Sequence, residues 1–183
     1  MEKKIELQHL DVVTFARDTL GLNGQGVLAD WPRLAQELFG SDLLAGPVVW
    51  QLKGRSVAQS GGADQIWLDL KASVSLPLQC QRCLTPVLET VQAERSFRFV
   101  ADEATATALD DEAEEDILVI SRDFDALALI EDELILSLPL VPLHEECPEA
   151  MPMSVADPEF EVAAQRPNPF GILAGLKTDK STE

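Results

Sequence analysis

The chain has 183 residues, 46% of them hydrophobic and 25% charged, which is enough to form one sizeable core. Its net charge is −18, from 32 acidic and 14 basic side chains, and so negative a surface repels a phosphate backbone. Direct binding to nucleic acid is therefore disfavoured, whereas the same field strengthens encounters with a basic protein; solubility alone is the alternative reason for the acidity.

The sequence also predicts a cytoplasmic protein. No apolar run is long enough to cross a bilayer, and residues 1–7 alternate instead of forming the apolar segment of a signal peptide. The three cysteines, an odd number, indicate no disulfide framework and fit a reducing compartment.

The first forty residues predict an edge strand and two short helices. Residues 4–10 alternate as a strand, and Asp11 is a suitable N-cap for a helix that Gly21 would end. The glycine-rich residues 22–29 predict a loop. Asp30 would cap a second short helix, which Gly40 would end.

The middle of the chain predicts three antiparallel strands in a meander. Residues 47–58 alternate as the first strand, and residues 60–64 form a flexible hairpin loop. The next two strands each show one apolar face of alternating residues: Ile66, Leu68, Leu70, Ala72, Val74, Leu76 and Leu78, then Val87, Val91, Ala93, Phe97 and Phe99. The four residues from Cys80 to Cys83 then lie at the turn between these two strands.

The region after the meander begins with an acidic stretch. Residues 101–116 contain eight carboxylates and no basic side chain, and this composition predicts a mobile, solvated loop. A strand is predicted at residues 117–120. Asp123 or Asp125 would cap the clearest helix of the protein, which Pro139 would end, with Glu131, Asp132 and Glu133 on its exposed side.

These elements predict an α+β fold, an antiparallel meander, open or barrel-like, covered by a few short helices. Residues 1–148 would form one domain, and residues 149–183 a largely extended tail with a disordered linker at 149–165. Near the end, Phe170, Leu173 and Leu176 share one face of a segment too short to fold alone. We expect this face to dock on its own domain or, as the favoured alternative, on a partner.

Two pairs of residues with metal-ligand spacing stand out. Cys80 and Cys83 form a Cys-x-x-Cys, and His144 and Cys147 form a His-x-x-Cys after the last helix. Three thiolates and one imidazole suit Zn²⁺ in a closed tetrahedral site. The alternatives are plain thiols at a turn, or a thioredoxin-like redox pair, which the antiparallel setting disfavours.

No motif predicts catalysis. The sequence has no glycine-rich phosphate loop and no nucleophile elbow, and its two histidines are the only candidate general bases of that type. The many carboxylates lie in solvated runs, where paired acid and base roles do not arise. We therefore expect a protein that is not an enzyme.

Three motifs, in this order, resemble the YceD family of large ribosomal RNA subunit accumulation proteins. They are residues 78–84 around the Cys-x-x-Cys, residues 130–144 with Cys147 shortly after, and residues 166–177. The resemblance implies a bacterial cytoplasmic protein needed for synthesis, processing or stability of 23S ribosomal RNA, without established enzymatic activity. Some members carry more cysteines after the helix, like a zinc ribbon, whereas this chain offers only His144 and Cys147 there.

Two hypotheses follow from the sequence and the resemblance. The favoured one is a noncatalytic ribosome-biogenesis factor that acts through a basic ribosomal or assembly protein. The alternative is a zinc- or thiol-dependent enzyme that acts on RNA or a small substrate.

Overall fold

The computed structural model describes residues 6–40, 45–110, 112–148 and Phe170. The chain divides into two compact units, Met1–Glu146 and Cys147–Glu183, and the described helices and strands lie in the first. The linker predicted at residues 149–165, together with Leu173 and Leu176, lies outside the described residues.

The first unit is built on one five-stranded sheet with the strand order β1-β2-β3-β4-β5. The strands are β1 (Gly21–Gly26), β2 (Val48–Val57), β3 (Gln65–Gln79), β4 (Pro86–Val100) and β5 (Asp116–Val119). Neighbours from β1 to β4 pair antiparallel, and β5 pairs parallel to β4. The predicted three-stranded meander is confirmed as β2, β3 and β4, and the sheet is open, with β1 and β5 at its edges.

Within the described residues, three α-helices and three short 3₁₀ turns accompany the sheet. The helices are α1 (Val12–Arg17), α2 (Glu103–Asp110) and α3 (Ala126–Leu136), and the turns are Leu7–His9, Leu28–Asp30 and Leu34–Glu37. Helix α1 packs on β2 and β3, and α3 packs on β3 and β4, so both cover the apolar face that strand alternation predicted. The α+β fold class is therefore confirmed. None of the described helices has the length and apolar character needed to span a membrane.

The two N-caps of α1 and α3 follow the sequence signals. The Asp11 carboxylate accepts a hydrogen bond from the Thr14 amide at 3.2 Å, and the Asp125 carboxylate accepts one from the Ala128 amide at 2.8 Å. Each cap satisfies an amide that the helix itself leaves unpaired. Helix α3 ends at Leu136, before Pro139, as predicted.

Three N-terminal predictions are wrong. In the described part of the strand expected at residues 4–10, which begins at residue 6, the chain forms a 3₁₀ turn over Leu7–His9. The second helix is replaced by two 3₁₀ turns. The loop expected at residues 22–29 contains strand β1. Its glycines make room for indole rings, because a Cβ added at Gly24 would lie 2.5 Å from the Trp50 ring and one at Gly26 would lie 2.6 Å from the Trp31 ring.

The acidic stretch also differs from the predicted loop. Half of it is helix α2, which links β4 to its parallel neighbour β5. Parallel neighbours require a crossover, usually a helix, and the alanines of this stretch favour one. The Asp102 carboxylate accepts a hydrogen bond from the Thr105 amide at 2.8 Å at the start of α2.

Helix α3 buries two of the three acidic residues that were expected on its exposed side. Glu131 and Glu133 are 5% and 7% exposed. Glu131 accepts hydrogen bonds from the Arg33 amide at 2.7 Å, the Leu34 amide at 3.1 Å and the Arg33 Nε at 2.8 Å. Arg95 lies 3.5 Å from Glu133. Pairing offsets the cost of burying a carboxylate, so these residues join α3 to the rest of the core.

Candidate metal centre

The turn between β3 and β4 carries the first pair of candidate ligands. Strand β3 ends at Gln79 and β4 begins at Pro86. The Cys80 amide donates to the Thr85 carbonyl at 3.0 Å, and the Leu84 amide donates to the Cys80 carbonyl at 2.9 Å, which closes a tight turn. We call residues 80–84 the knuckle. Its position at the hairpin turn confirms the sequence prediction for Cys80 and Cys83.

The segment after α3 brings the second pair to the knuckle. We call residues 139–147 the strap, since the chain runs from Pro139 past the knuckle without helix or strand. The Gln81 amide donates to the Pro142 carbonyl at 2.9 Å, and the His144 amide points to the Cys80 Sγ at 3.5 Å. Backbone contacts therefore hold the strap against the turn.

The structure brings all four predicted ligands together. One ligand atom from each of Cys80, Cys83, His144 and Cys147 lies within 4.8 Å of the others. The Cys83 Sγ lies 3.4 Å from the His144 Nδ1. Tetrahedral bonds of about 2.0–2.3 Å place ligand atoms about 3.3–3.8 Å apart, so the set is close to the size that surrounds one ion.

Hydrogen bonds favour the thiolate form of Cys80, which is the form that binds metals. Burial of this thiol raises its pKa, but hydrogen bonds from the backbone amides of Cys83, His144 and Arg82 and from the His144 side chain outweigh burial and lower the pKa to about 5. The hydrogen bond with Cys80 in turn raises the pKa of His144. The donor set therefore fits a soft divalent cation, and protons compete with the metal for these ligands.

The surroundings of the sulfurs argue against an accessible reactive thiol. Cys80 is 0% exposed, and Cys83 and Cys147 are half-buried. The Cys83 sulfur also lies 3.1 Å from the Thr85 hydroxyl. The pair joins two antiparallel strands, whereas a thioredoxin-type pair opens a helix after a parallel strand. A four-ligand set with a buried sulfur is typical of a structural metal site.

Sequence reasoning missed the contacts that shape the site. The Gln81 amide and the Pro142 carbonyl join the strap to the knuckle, and Thr85 closes the turn. Backbone partners leave no signal in side-chain spacing, although Pro142 lies inside a proline-punctuated segment that predicts extended chain. Of the three candidate partner-binding residues, the structure describes Phe170 alone, which is 70% exposed.

Residues of the sheet, of α3 and of the candidate centre fall within a region that is similar to known proteins. The family model described as large ribosomal RNA subunit accumulation protein YceD matches residues 68–177, a range that includes the four candidate ligands. A curated relative from Haemophilus influenzae, a large ribosomal RNA subunit accumulation protein YceD, is 37% identical over 109 residues. The match covers 58% of this chain and 63% of the relative. No solved structure matches the chain.

Proposed function

The chain belongs to the YceD family of large ribosomal RNA subunit accumulation proteins, and from this premise we propose that it is a noncatalytic factor in ribosome biogenesis. It would support the synthesis, processing or stability of 23S ribosomal RNA in the bacterial cytoplasm. The observation that carries the proposal is the family match over residues 68–177, because this range contains β4, α3 and both ligand pairs.

We propose that the metal is Zn²⁺ and that its role is structural. Three sulfurs and one imidazole are soft ligands of the kind that select zinc, and four protein ligands leave no open coordination position for a substrate or water. The ion would hold the strap against the knuckle. This supports a noncatalytic protein over the zinc- or thiol-dependent enzyme, whose reactive group would have to be reached by a substrate.

The partner we propose is a basic ribosomal or assembly protein. The net charge of −18 favours such a partner and opposes direct contact with RNA. The same field raises association rates with a basic protein and is screened by salt. We further propose that Phe170, Leu173 and Leu176 contribute apolar anchors to the same partner.

The test uses a deletion strain of the source bacterium, complemented with variants of the gene. Loss of the protein is expected to lower 23S ribosomal RNA relative to 16S, and wild type restores the ratio. His144→Gln is expected to restore it poorly, whereas His9→Gln, which changes the other histidine, serves as the matched control. An unchanged ratio in the deletion strain would contradict the proposed function.

A second measurement separates the factor from the enzyme. Purified zinc-loaded protein is incubated with 23S precursor RNA, and cleavage or modification is followed over time. We expect no turnover. Turnover that depends on the metal and is lost in Cys83→Ser would favour the enzyme and contradict the noncatalytic role.

A further inference from the structure

Exposed apolar side chains are concentrated beside the candidate metal centre. Ten large hydrophobic side chains are exposed in the described part of the chain, and six of them lie within two short stretches, residues 84–88 and 136–143. They are Leu84 (61% exposed), Leu88 (61%), Leu136 (76%), Leu140 (100%), Val141 (57%) and Leu143 (39%). Scattered exposed leucines are ordinary, whereas such a concentration marks an interaction surface.

The two stretches are held together by the knuckle and the strap. The Gln81 amide donates to the Pro142 carbonyl at 2.9 Å, which places the residues on either side of Pro142 next to the turn that carries Leu84. The contact between Cys83 and His144 at 3.4 Å adds a second link two residues further on. We call the surface formed by Leu84, Leu140, Val141 and Leu143 the knuckle patch. It is preorganised, because the backbone hydrogen bond from Gln81 to Pro142 and the contact between Cys83 and His144 fix its two halves before any partner binds.

Leu84 has a conformation that is costly for leucine. Its φ angle is +61°, in the left-handed region that glycine adopts without strain, and its side chain is 61% exposed, so burial in the first unit does not offset the cost. Backbone strain of this kind concentrates at functional sites. An exposed, strained leucine at the tip of the knuckle therefore points to a role for its side chain outside the fold.

The charge around the patch indicates the chemistry of what covers it. Residues 126–148 contain no lysine or arginine, and Glu145 and Glu146 are exposed, without an ion pair to any residue that the structure describes. Arg82 is the one basic side chain between Cys80 and Leu84. An apolar surface with acidic residues at one edge is complementary to a segment with apolar anchors flanked by lysine or arginine.

We propose that the knuckle patch is the docking surface for an apolar and basic segment of the protein partner. The inference rests on the proposed function, which supplies the basic partner, and it adds the place where that partner binds. Apolar side chains of the segment cover Leu84, Leu140 and Val141, while its lysines or arginines face Glu145 and Glu146. The metal centre would fix the relative position of the two halves of the patch.

The experiment uses the full chain loaded with zinc and, as the probe, the individually purified basic proteins of the large ribosomal subunit. Binding of each protein is measured at two salt concentrations. For the protein that binds wild type, dissociation constants are then measured with Leu84→Gly and Val141→Ser in the patch, and with Val27→Ser and Val49→Ser as matched exposed controls elsewhere. Zinc content and melting temperature are recorded for every variant.

We expect Leu84→Gly to weaken binding at least about tenfold, because central apolar anchors carry most of the energy of an interface. The same variant is expected to keep its zinc and to melt at the same or a higher temperature, since glycine removes the strain at this position. Glu145→Gln combined with Glu146→Gln should lower the association rate and reduce its salt dependence. The two control variants should bind like wild type.

Three results would overturn the inference, in different ways. Equal binding by wild type and by both patch variants places the docking surface elsewhere and leaves the proposed function intact. A dimer that Leu84→Gly converts to a monomer assigns the patch to a second copy of the chain. Failure of every basic protein in the probe set to bind wild type contradicts the basic partner itself, and the inference falls with it.

Discussion

Removal of the metal is the perturbation that tests the candidate centre most directly. Zinc-loaded protein is expected to contain close to one ion per chain, and Cys80→Ser and His144→Gln are expected to lose it, because each removes one of four ligands. His9→Gln is the control, since His9 pairs with Asp123 and is not one of the four ligands. It is expected to bind zinc like wild type.

The expected fall in melting temperature on removal of zinc follows from how the strap is held. Leu140, Val141 and Leu143 are exposed, so the strap gains little from burial, and a backbone hydrogen bond such as Gln81 to Pro142 contributes about 1 kcal/mol. An ion at a free concentration about a thousandfold above its dissociation constant adds about 4 kcal/mol to the free energy of unfolding. At about 2–4 °C per kcal/mol for a unit of this size, chelation should lower the melting temperature by roughly 8–16 °C.

The assay is a thermal melt of zinc-loaded and chelator-treated protein, paired with hydrogen exchange. Exchange should increase mainly in the strap and the knuckle after chelation, while β3 and β4 remain protected, because those strands pair along most of their length. Zinc-loaded and chelated proteins that melt at the same temperature would refute the reasoning. Cys80 and Cys83 would then be plain thiols at a turn.

The remaining predictions concern stability, pH and the C-terminal segment. Glu131→Ala leaves the amides of Arg33 and Leu34 without their acceptor and should lower the free energy of unfolding by about 3–5 kcal/mol in urea melts. The control Asp132→Ala removes a half-exposed ion pair and should lower it by under about 1 kcal/mol. Equal losses in the two variants would show that the buried contacts are unimportant. The hydrogen bond from the Thr14 amide lowers the pKa of Asp11, so its contribution of about 1 kcal/mol is present above the ordinary value of 3.8 and is lost as pH falls through the lowered pKa. Asp11→Ala should thus destabilise at pH 7 and not in strong acid, and a penalty that persists in acid would contradict this. Phe170→Ala should weaken partner binding by about 2 kcal/mol with little change in melting temperature; if truncation after Ala164 lowers the melting temperature strongly while binding is retained, the segment is part of the fold.

Strand alternation was the most informative signal in the sequence. Residues 65–79 and 86–100 each pair one apolar face with one polar face, and a period of two has no other common structural explanation. The turn between them, and with it the position of Cys80 and Cys83, followed directly. The N-caps of α1 and α3 were also predictable from the sequence, because a side chain such as Asp11 or Asp125 accepts a hydrogen bond from an amide three residues further on.

Two of the wrong predictions have a common cause. Glycine in residues 21–26 usually marks a loop, but here it accommodates the Trp50 and Trp31 rings, which come from other parts of the chain. Acidic residues on α3 usually mark a solvent face, but Arg33 and Arg95 pair with Glu131 and Glu133 from a distance in sequence. In each case a nonlocal neighbour overrides the local preference.

The sequence by itself determined the half-buried strands, the helix caps and the identity of four soft ligands in two closely spaced pairs. It did not determine that the pairs meet, because Cys83 and His144 are 61 positions apart in the sequence. The tertiary structure decided this through α3, whose packing on β3 and β4 directs the strap to the hairpin turn. The helix packs there because Ile130 and Leu134 are fully buried, which contributes about 1.5–3 kcal/mol for each side chain. Burial of the apolar face of α3 thus places His144 and Cys147 beside the knuckle. The residue types and their spacing indicate only which metal they suit.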